Sequence, residues 1–145
     1  MIEYTVKVDD NETKKWFING MLHCEDGPAI EYASGTKEWW INDKVHREDG
    51  PAVEYANGDK FWYINGKLHR EDGPAYEGAD GTKSWYINGQ LHREDGPAYK
   101  RVDGYKSWWI NGQKLTEENF NKRFKPYYSC PHCHKPLNIN IKINY

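Results

Sequence analysis

Two kinds of cluster in this 145-residue chain combine residue types and spacings that suit chemistry. The first is His-Arg-Glu-Asp, at residues 46–49, 69–72 and 92–95, with His23, Cys24, Glu25 and Asp26 as a variant. A His beside two carboxylates can act as a general base. Four near-identical active sites at regular spacing on one small chain would be odd, however. A repeated turn explains every copy, with His backing a Trp, Arg pairing with a carboxylate and Asp capping the Gly-Pro that follows. No residue is therefore assigned a catalytic role, and the chain is read as non-enzymatic.

The second cluster is Ser-Cys-Pro-His-Cys-His-Lys-Pro at residues 129–136. Cys130 and Cys133 have the spacing of one zinc knuckle, and His134 or His132 can add a ligand, but a structural zinc site takes four. The only other thiol, Cys24, sits in the first repeat, roughly 30 to 50 Å away if each repeat adds two or three strands. Three readings stay open for this tail. Zinc is held by Cys130, Cys133 and His134, within one chain or shared by two; or the thiols are plain reduced cysteines; or they form a redox pair, although the strand-to-helix setting that lowers a thiol pKa is lacking. Metal analysis of protein purified without a His tag separates the first from the others.

The elements that must position these clusters come from self-similarity. Trp16, Trp39, Trp62, Trp85 and Trp108 recur every 23 residues, and Ile18, Ile41, Ile64, Ile87 and Ile110 follow two positions later. Gly35, Gly58, Gly81 and Gly104 keep the same period, while the chain start offers only Asp9, Asp10 and Asn11 there. Four units are full, and the fifth breaks after its turn. Asn19-Gly20, Asn65-Gly66, Asn88-Gly89 and Asn111-Gly112 are dipeptides that tolerate positive φ at both centres of a two-residue hairpin turn, with Asn42-Asp43 the weaker exception. Ser34-Gly35 and its equivalents mark a second turn, and Gly50-Pro51 and its equivalents start a new strand.

The spacing therefore predicts a three-stranded meander per unit, with strands at 29–33, 36–41 and 44–47 in the second. Two-residue turns at both ends place Trp39 opposite Ile30 and His46, and Trp40 opposite Ala29 and Val45 on the other face. A lone unit cannot bury two aromatic faces, so successive units must pair edge to edge. Past Leu115, Thr116 is a good N-cap, Glu117 and Glu118 suit a first helical turn, and Phe120 and Phe124 stand i, i+4 to cover the last unit. The expected fold is all-β: an elongated single-layer antiparallel sheet of 23-residue hairpin repeats over 1–112. A cap at 113–145 adds a short helix, the Cys-x-x-Cys knuckle and one strand through Leu137, Ile139, Ile141 and Ile143.

These repeats resemble MORN-type repeat proteins, in which aromatic, Gly-rich units form a single-layer sheet of hairpins. The aromatic strand, the Asn-Gly turn and the Gly before the next strand match that pattern over 11–112, while Leu-His-Arg-Glu-Asp-Gly-Pro-Ala replaces the family's Gly-rich second half. The chain looks like a divergent variant, similar to the Trp-Tyr-Ile-Asn-Gly-Lys-Leu-His-Arg-Glu-Asp-Gly-Pro-Ala arrays of bacteriophage and giant-virus proteins. The resemblance implies a non-enzymatic, protein-binding platform, and from those arrays a virus-encoded inhibitor of a host defence protein.

The invariant Trp column suits packing, whereas its neighbour, Phe17, Trp40, Tyr63, Tyr86 and Trp109, accepts any aromatic and is the candidate partner-binding face. The alternative use of those rings is sequestering a small ligand or nucleotide by stacking. Composition agrees with an aromatic fold, since Ile, Leu, Val and Phe make up about 17% of residues against 7 Trp and 11 Tyr. Residues 1–112 carry a net charge of −6 (14 basic, 20 acidic) and 113–145 a net of +4 (6 basic, 2 acidic), which speaks against nucleic acid as the main partner. No apolar run approaches a membrane span, no signal peptide is expected at the start, and an odd count of 3 Cys points to a reducing compartment such as the cytoplasm. A half knuckle followed by one strand leaves both metal ligation and a sheet edge incomplete, so a homodimer through 113–145 is expected.

Overall fold

A computed structural model describes residues 2–124 and the backbone of one further strand pair, Tyr128–Ser129 with Pro136–Leu137. The chain forms an antiparallel meander whose 12-stranded sheet runs in sequence order from Thr5–Val8 to Gln113–Leu115 and does not close. One helix follows, Glu117–Phe124. The all-β, single-layer expectation stands. Among the described residues, no helix is long and apolar enough to cross a membrane.

Two turns set the pattern. The Asn-Gly turns form as expected, with positive φ at both centres, as at Asn65 (50°) and Gly66 (77°). Asn42 and Asp43 take the same conformation without a glycine, and the Asp43 carboxylate accepts the Leu22 N–H of the preceding unit at 2.7 Å. The other turn differs from the expectation. Gly35 N–H donates to Tyr32 O at 2.9 Å and Tyr32 N–H to Thr36 O at 3.0 Å, with Gly35 at φ 91°. This is a three-residue loop ending in a left-handed bulge residue, not a two-residue turn. Register therefore moves by one, giving Ile30↔Glu38 and Glu31↔Lys37. Ala29, not Ile30, flanks Trp39, because a one-residue slip exchanges the faces of a strand. At the chain start the bulge position falls to Glu12, which is held at φ 60° without a glycine.

The unit is also simpler than a three-stranded meander. Trp39 accepts the His46 N–H at 3.0 Å and donates its own N–H to Ala52 O at 2.8 Å, so both ends of the 47–51 segment face one residue. Trp62 and Trp85 repeat the arrangement with His69 and Ala75, and with His92 and Ala98, at 3.0 and 2.8 Å. Each unit is thus a hairpin of two strands, the returning one interrupted by a five-residue excursion that carries the Arg-Glu-Asp-Gly-Pro sequence.

That excursion is folded by its arginine. The Arg47 guanidinium lies 4.1 Å from the Trp39 ring centroid. It donates to Asp49 at 2.8 Å, to Pro51 O at 3.2 Å and to Glu54 at 3.3 Å. Arg70 makes the same set over Trp62. Planar stacking plus several charge-assisted bonds suits Arg and not Lys. The guanidinium occupies the space a side chain at the loop glycine would need: a Cβ on Gly73 would stand 3.0 Å from Arg70 Cζ. In the first unit Cys24 replaces Arg, and a Cβ on Gly27 meets only its sulfur, at 4.0 Å.

Small side chains fill the layer beneath. Ala29, Ala52, Ala75 and Ala98 flank the Trp column with no exposed surface, while the tryptophans themselves are half-buried. The last unit is covered as expected. Thr116 Oγ1 accepts the Asn119 N–H at 3.1 Å as the N-cap, and Phe120 is fully buried with Phe124 at 5.0 Å. In the tail, the described strand pair brackets the cysteine-rich stretch. Cys130, Cys133, His134 and the isoleucines of the expected terminal strand lie outside the described residues, as does any dimer contact they make.

Two outcomes follow for stability. Trp62→Ala costs about 3 kcal/mol, the low end for tryptophan truncation because the ring is half-buried, and Tyr63→Ala costs less, as thermal melts can measure. Gly73→Ala displaces Arg70 from the Trp62 ring and costs about 1 to 2 kcal/mol, whereas Gly27→Ala is close to neutral by the same measurement.

Candidate functional site

Strand alternation divides the aromatic columns between two faces. Trp39 shares its face with Ala29, Glu31, Lys37 and His46, and Trp40 shares the other with Ile30, Glu38 and Val45. Hydrogen bonds on the second face agree, since the Trp40 indole N–H and the Tyr32 hydroxyl both donate to Glu38, at 2.9 and 3.1 Å.

All five candidate contact residues lie on this second face and are half-buried. Phe17, Trp40, Tyr63, Tyr86 and Trp109 stand opposite Leu22, Val45, Leu68, Leu91 and Lys114 across the Asn-Gly and Asn-Asp hairpins. Such cross-strand pairs support each ring from one side. Burial raises the Tyr63 and Tyr86 phenols above the ordinary tyrosine value, so both remain hydrogen-bond donors at neutral pH.

The shifted register brings further rings to this face that the sequence reading did not assign. Phe61 lies 4.6 Å from Tyr76, 5.6 Å from Tyr55 and 6.5 Å from Tyr63, ring centroid to centroid. Tyr99 and Tyr105 make a second contact at 6.1 Å. Tyr55 and Tyr105 are each 46% exposed. The result is a four-ring cluster centred on Phe61, with Tyr99 and Tyr105 as a separate pair on the same face. The signal was available in Tyr32 and Tyr55, and in Tyr76 and Tyr99, each pair 23 residues apart. Only the three-residue turn places them beside the second column.

The His-Arg-Glu-Asp clusters sit on the first face and join neighbouring units. His46 Nδ1 accepts the Asn65 N–H at 3.1 Å, and His69 Nδ1 accepts that of Asn88 at 3.1 Å. His92 Nδ1 stands 3.2 Å from the Asn111 backbone nitrogen and 2.8 Å from Asn111 Oδ1, and His23 Nδ1 stands 3.3 and 2.9 Å from the same atoms of Asn42. At His46 and His69 the accepting Nδ1 puts the proton of the neutral ring on Nε2, which faces Glu48 or Glu71 at 3.6 to 3.7 Å. At those two rings neither nitrogen has a lone pair free for a substrate proton. The expected role for His, backing a Trp, is taken by Arg, and His instead fixes the next unit's turn. Among the described residues, no group of three or more His, Cys, Asp or Glu side chains could hold a metal ion.

Hydrogen bonds from Arg47, Arg70 and Arg93 hold Asp49, Asp72 and Asp95 below the ordinary aspartate value. A depressed carboxyl stabilises the fold above the unfolded value and loses that contribution as pH falls through the folded one. Thermal stability is therefore expected to hold from neutral pH to about 5 and to fall below about 4. Replacing all three aspartates with asparagine lowers the neutral melting temperature and flattens the acid limb, with Asp9 and Asp80, also depressed by turn hydrogen bonds, accounting for what remains. Compared with known protein families and with curated proteins, the sequence matches none of them.

Proposed function

We propose that the chain is a non-enzymatic binding module that captures a protein partner on the face carrying Phe17, Trp40, Tyr63, Tyr86 and Trp109. The observation that carries this reading is the partly exposed cluster of Tyr55, Phe61, Tyr63 and Tyr76 on that face. Tyr and Trp present large, rigid, amphipathic area, the composition of interface hot spots. The imidazoles are engaged in unit-to-unit contacts, which favours binding over catalysis. The rings also pack against one another and offer a surface instead of a slot, which favours a protein over the alternative, a stacked small ligand or nucleotide.

The resemblance of the repeats to MORN-type arrays, and to those of bacteriophage and giant-virus proteins, supports a more specific assignment. The chain acts in the host cytoplasm as a virus-encoded inhibitor of a host defence protein. Zinc at Cys130, Cys133 and His134, and a homodimer through 113–145, belong to the same proposal. Light scattering of the full chain against one ending near Lys125 tests the dimer: equal monomeric masses would remove it.

The face itself is tested by affinity capture from host lysate, with mass spectrometry of both proteins and small molecules. Wild-type chain retains a discrete protein. Trp40→Ala, Tyr63→Ala and Tyr86→Ala each weaken that complex by about 2 kcal/mol in titrations with the purified partner. A partner that binds all three variants as tightly as wild type would refute the face, and a co-purified small molecule in its place would favour the alternative.

A further inference from the structure

Of the four full units, the second, third and fourth each stack a guanidinium on their tryptophan. Arg47, Arg70 and Arg93 lie 4.1, 4.1 and 4.0 Å from the ring centroids of Trp39, Trp62 and Trp85. Each donates to the aspartate two residues on, at 2.8, 2.8 and 2.5 Å, and to a prolyl carbonyl, at 3.2, 3.2 and 3.4 Å. Arg47 and Arg70 also reach Glu54 and Glu77, at 3.3 and 3.2 Å. In the first unit this position falls to Cys24, whose side chain ends at its sulfur and brings no positive charge.

The rest of the first unit keeps the arrangement. Trp16 donates its N–H to Ala29 O at 2.9 Å and accepts the His23 N–H at 3.1 Å, and Cys24 N–H reaches Trp40 O at 3.1 Å, as Arg47 N–H reaches Tyr63 O. The 24–28 excursion therefore leaves and rejoins the sheet as the others do, and the period puts Asp26, Pro28 and Glu31 where Asp49, Pro51 and Glu54 stand. Among the described residues, no basic side chain forms an ion pair with Asp26 or Glu31, whereas Asp49 and Glu54 both pair with Arg47. Glu31 stands opposite Lys14 and Lys37, but Glu54 stands opposite Lys37 and Lys60 in the same way, so what separates the two units is the arginine. Space agrees with charge. A Cβ on Gly50 or Gly73 would stand 2.9 or 3.0 Å from the guanidinium carbon, whereas on Gly27 it meets only Cys24 Sγ, at 4.0 Å. Tyr4 reaches the rim from the first strand, where its hydroxyl accepts the Glu25 N–H at 3.3 Å.

We propose that the first unit binds, on Trp16, the guanidinium of an arginine side chain supplied by a partner protein. The other units hold the same group from within the chain, on an indole face with a carboxylate and a carbonyl to take its N–H groups. The planar fork of Arg suits that set, and the point charge of Lys does not. The net charge of −6 over residues 1–112 draws a cation and repels the carboxylate of free arginine, which favours an arginine within a polypeptide. Trp16 lies on the face opposite Phe17 and its column, so the site stands independently of the aromatic face.

N-acetyl-arginine amide, a blocked single residue, is the probe, titrated into the isotope-labelled full chain at low ionic strength and followed by NMR. The Gly27 amide and Trp16 indole resonances shift saturably, and the corresponding lysine derivative binds at least about fivefold more weakly. Cys24→Arg supplies the group from within the chain, so it abolishes these shifts and raises the melting temperature by about 3 to 6 °C. Cys24→Ser binds as wild type does, and Glu31→Gln binds about three- to tenfold more weakly. Free arginine binds more weakly than the blocked form. Unmoved Gly27 and Trp16 resonances, equal binding of the lysine derivative, or a Cys24→Arg chain that still binds or melts no higher would overturn the site. Tighter binding of free arginine than of the blocked form would overturn its assignment to a protein side chain.

Discussion

The backbone of one residue per unit carries the architecture. Trp39 bonds to His46 with its carbonyl and to Ala52 with its N–H, so the chain can leave the sheet and return beside the same residue. A five-residue excursion with two prolyl and glycyl positions would otherwise break the strand. Here the strand resumes in line because the Trp side chain above supports the arginine that organises the loop. The alanines on either side have room for nothing larger beneath that stack, which explains why the invariant columns are the largest residue and one of the smallest.

The layer is therefore stabilised differently from a globular core. Apart from Phe120 under the helix, the fully buried residues of the sheet are alanines, and the large rings are half-buried. Stability is distributed among repeated local sets: a turn, a stacked guanidinium, a His-to-amide link, and a threonine or aspartate reaching forward, as when Thr36 and Asp59 accept the N–H groups of Ala56 and Ala79. Each set joins nearest neighbours, the behaviour of a quasi-one-dimensional array.

Much of this was legible in the residues. The Asn-Gly dipeptides demand one backbone conformation and adopt it, and Thr116 with Phe120 describes its own helix. The second turn misled because Ser34-Gly35 satisfies either a two-residue turn or the end of a three-residue loop, and the choice depends on which pairing gives Trp39 its alanine neighbours. From that single residue of register came the unassigned rings Tyr32, Tyr55, Tyr76 and Tyr99, whereas Phe61 and Tyr105 share the face of Tyr63 and Trp109 by simple alternation. The opposed pairs Glu31–Lys37 and Glu54–Lys60 were hidden for the same reason, since lysines and glutamates scattered along the chain become partners only once the register is fixed. Glu12 carried no signal at all, because nothing in its type suggests positive φ.

The His-to-amide link has a bearing on how such a chain changes length. His46 meets Asn65, His69 meets Asn88 and His92 meets Asn111 through the same atoms at nearly the same distance. Any unit can therefore serve as donor to any other, and excision or duplication of a whole 23-residue block rejoins surfaces that already fit. The natural increment of growth is the unit, and recombination between copies yields folded chains of different reach from one gene.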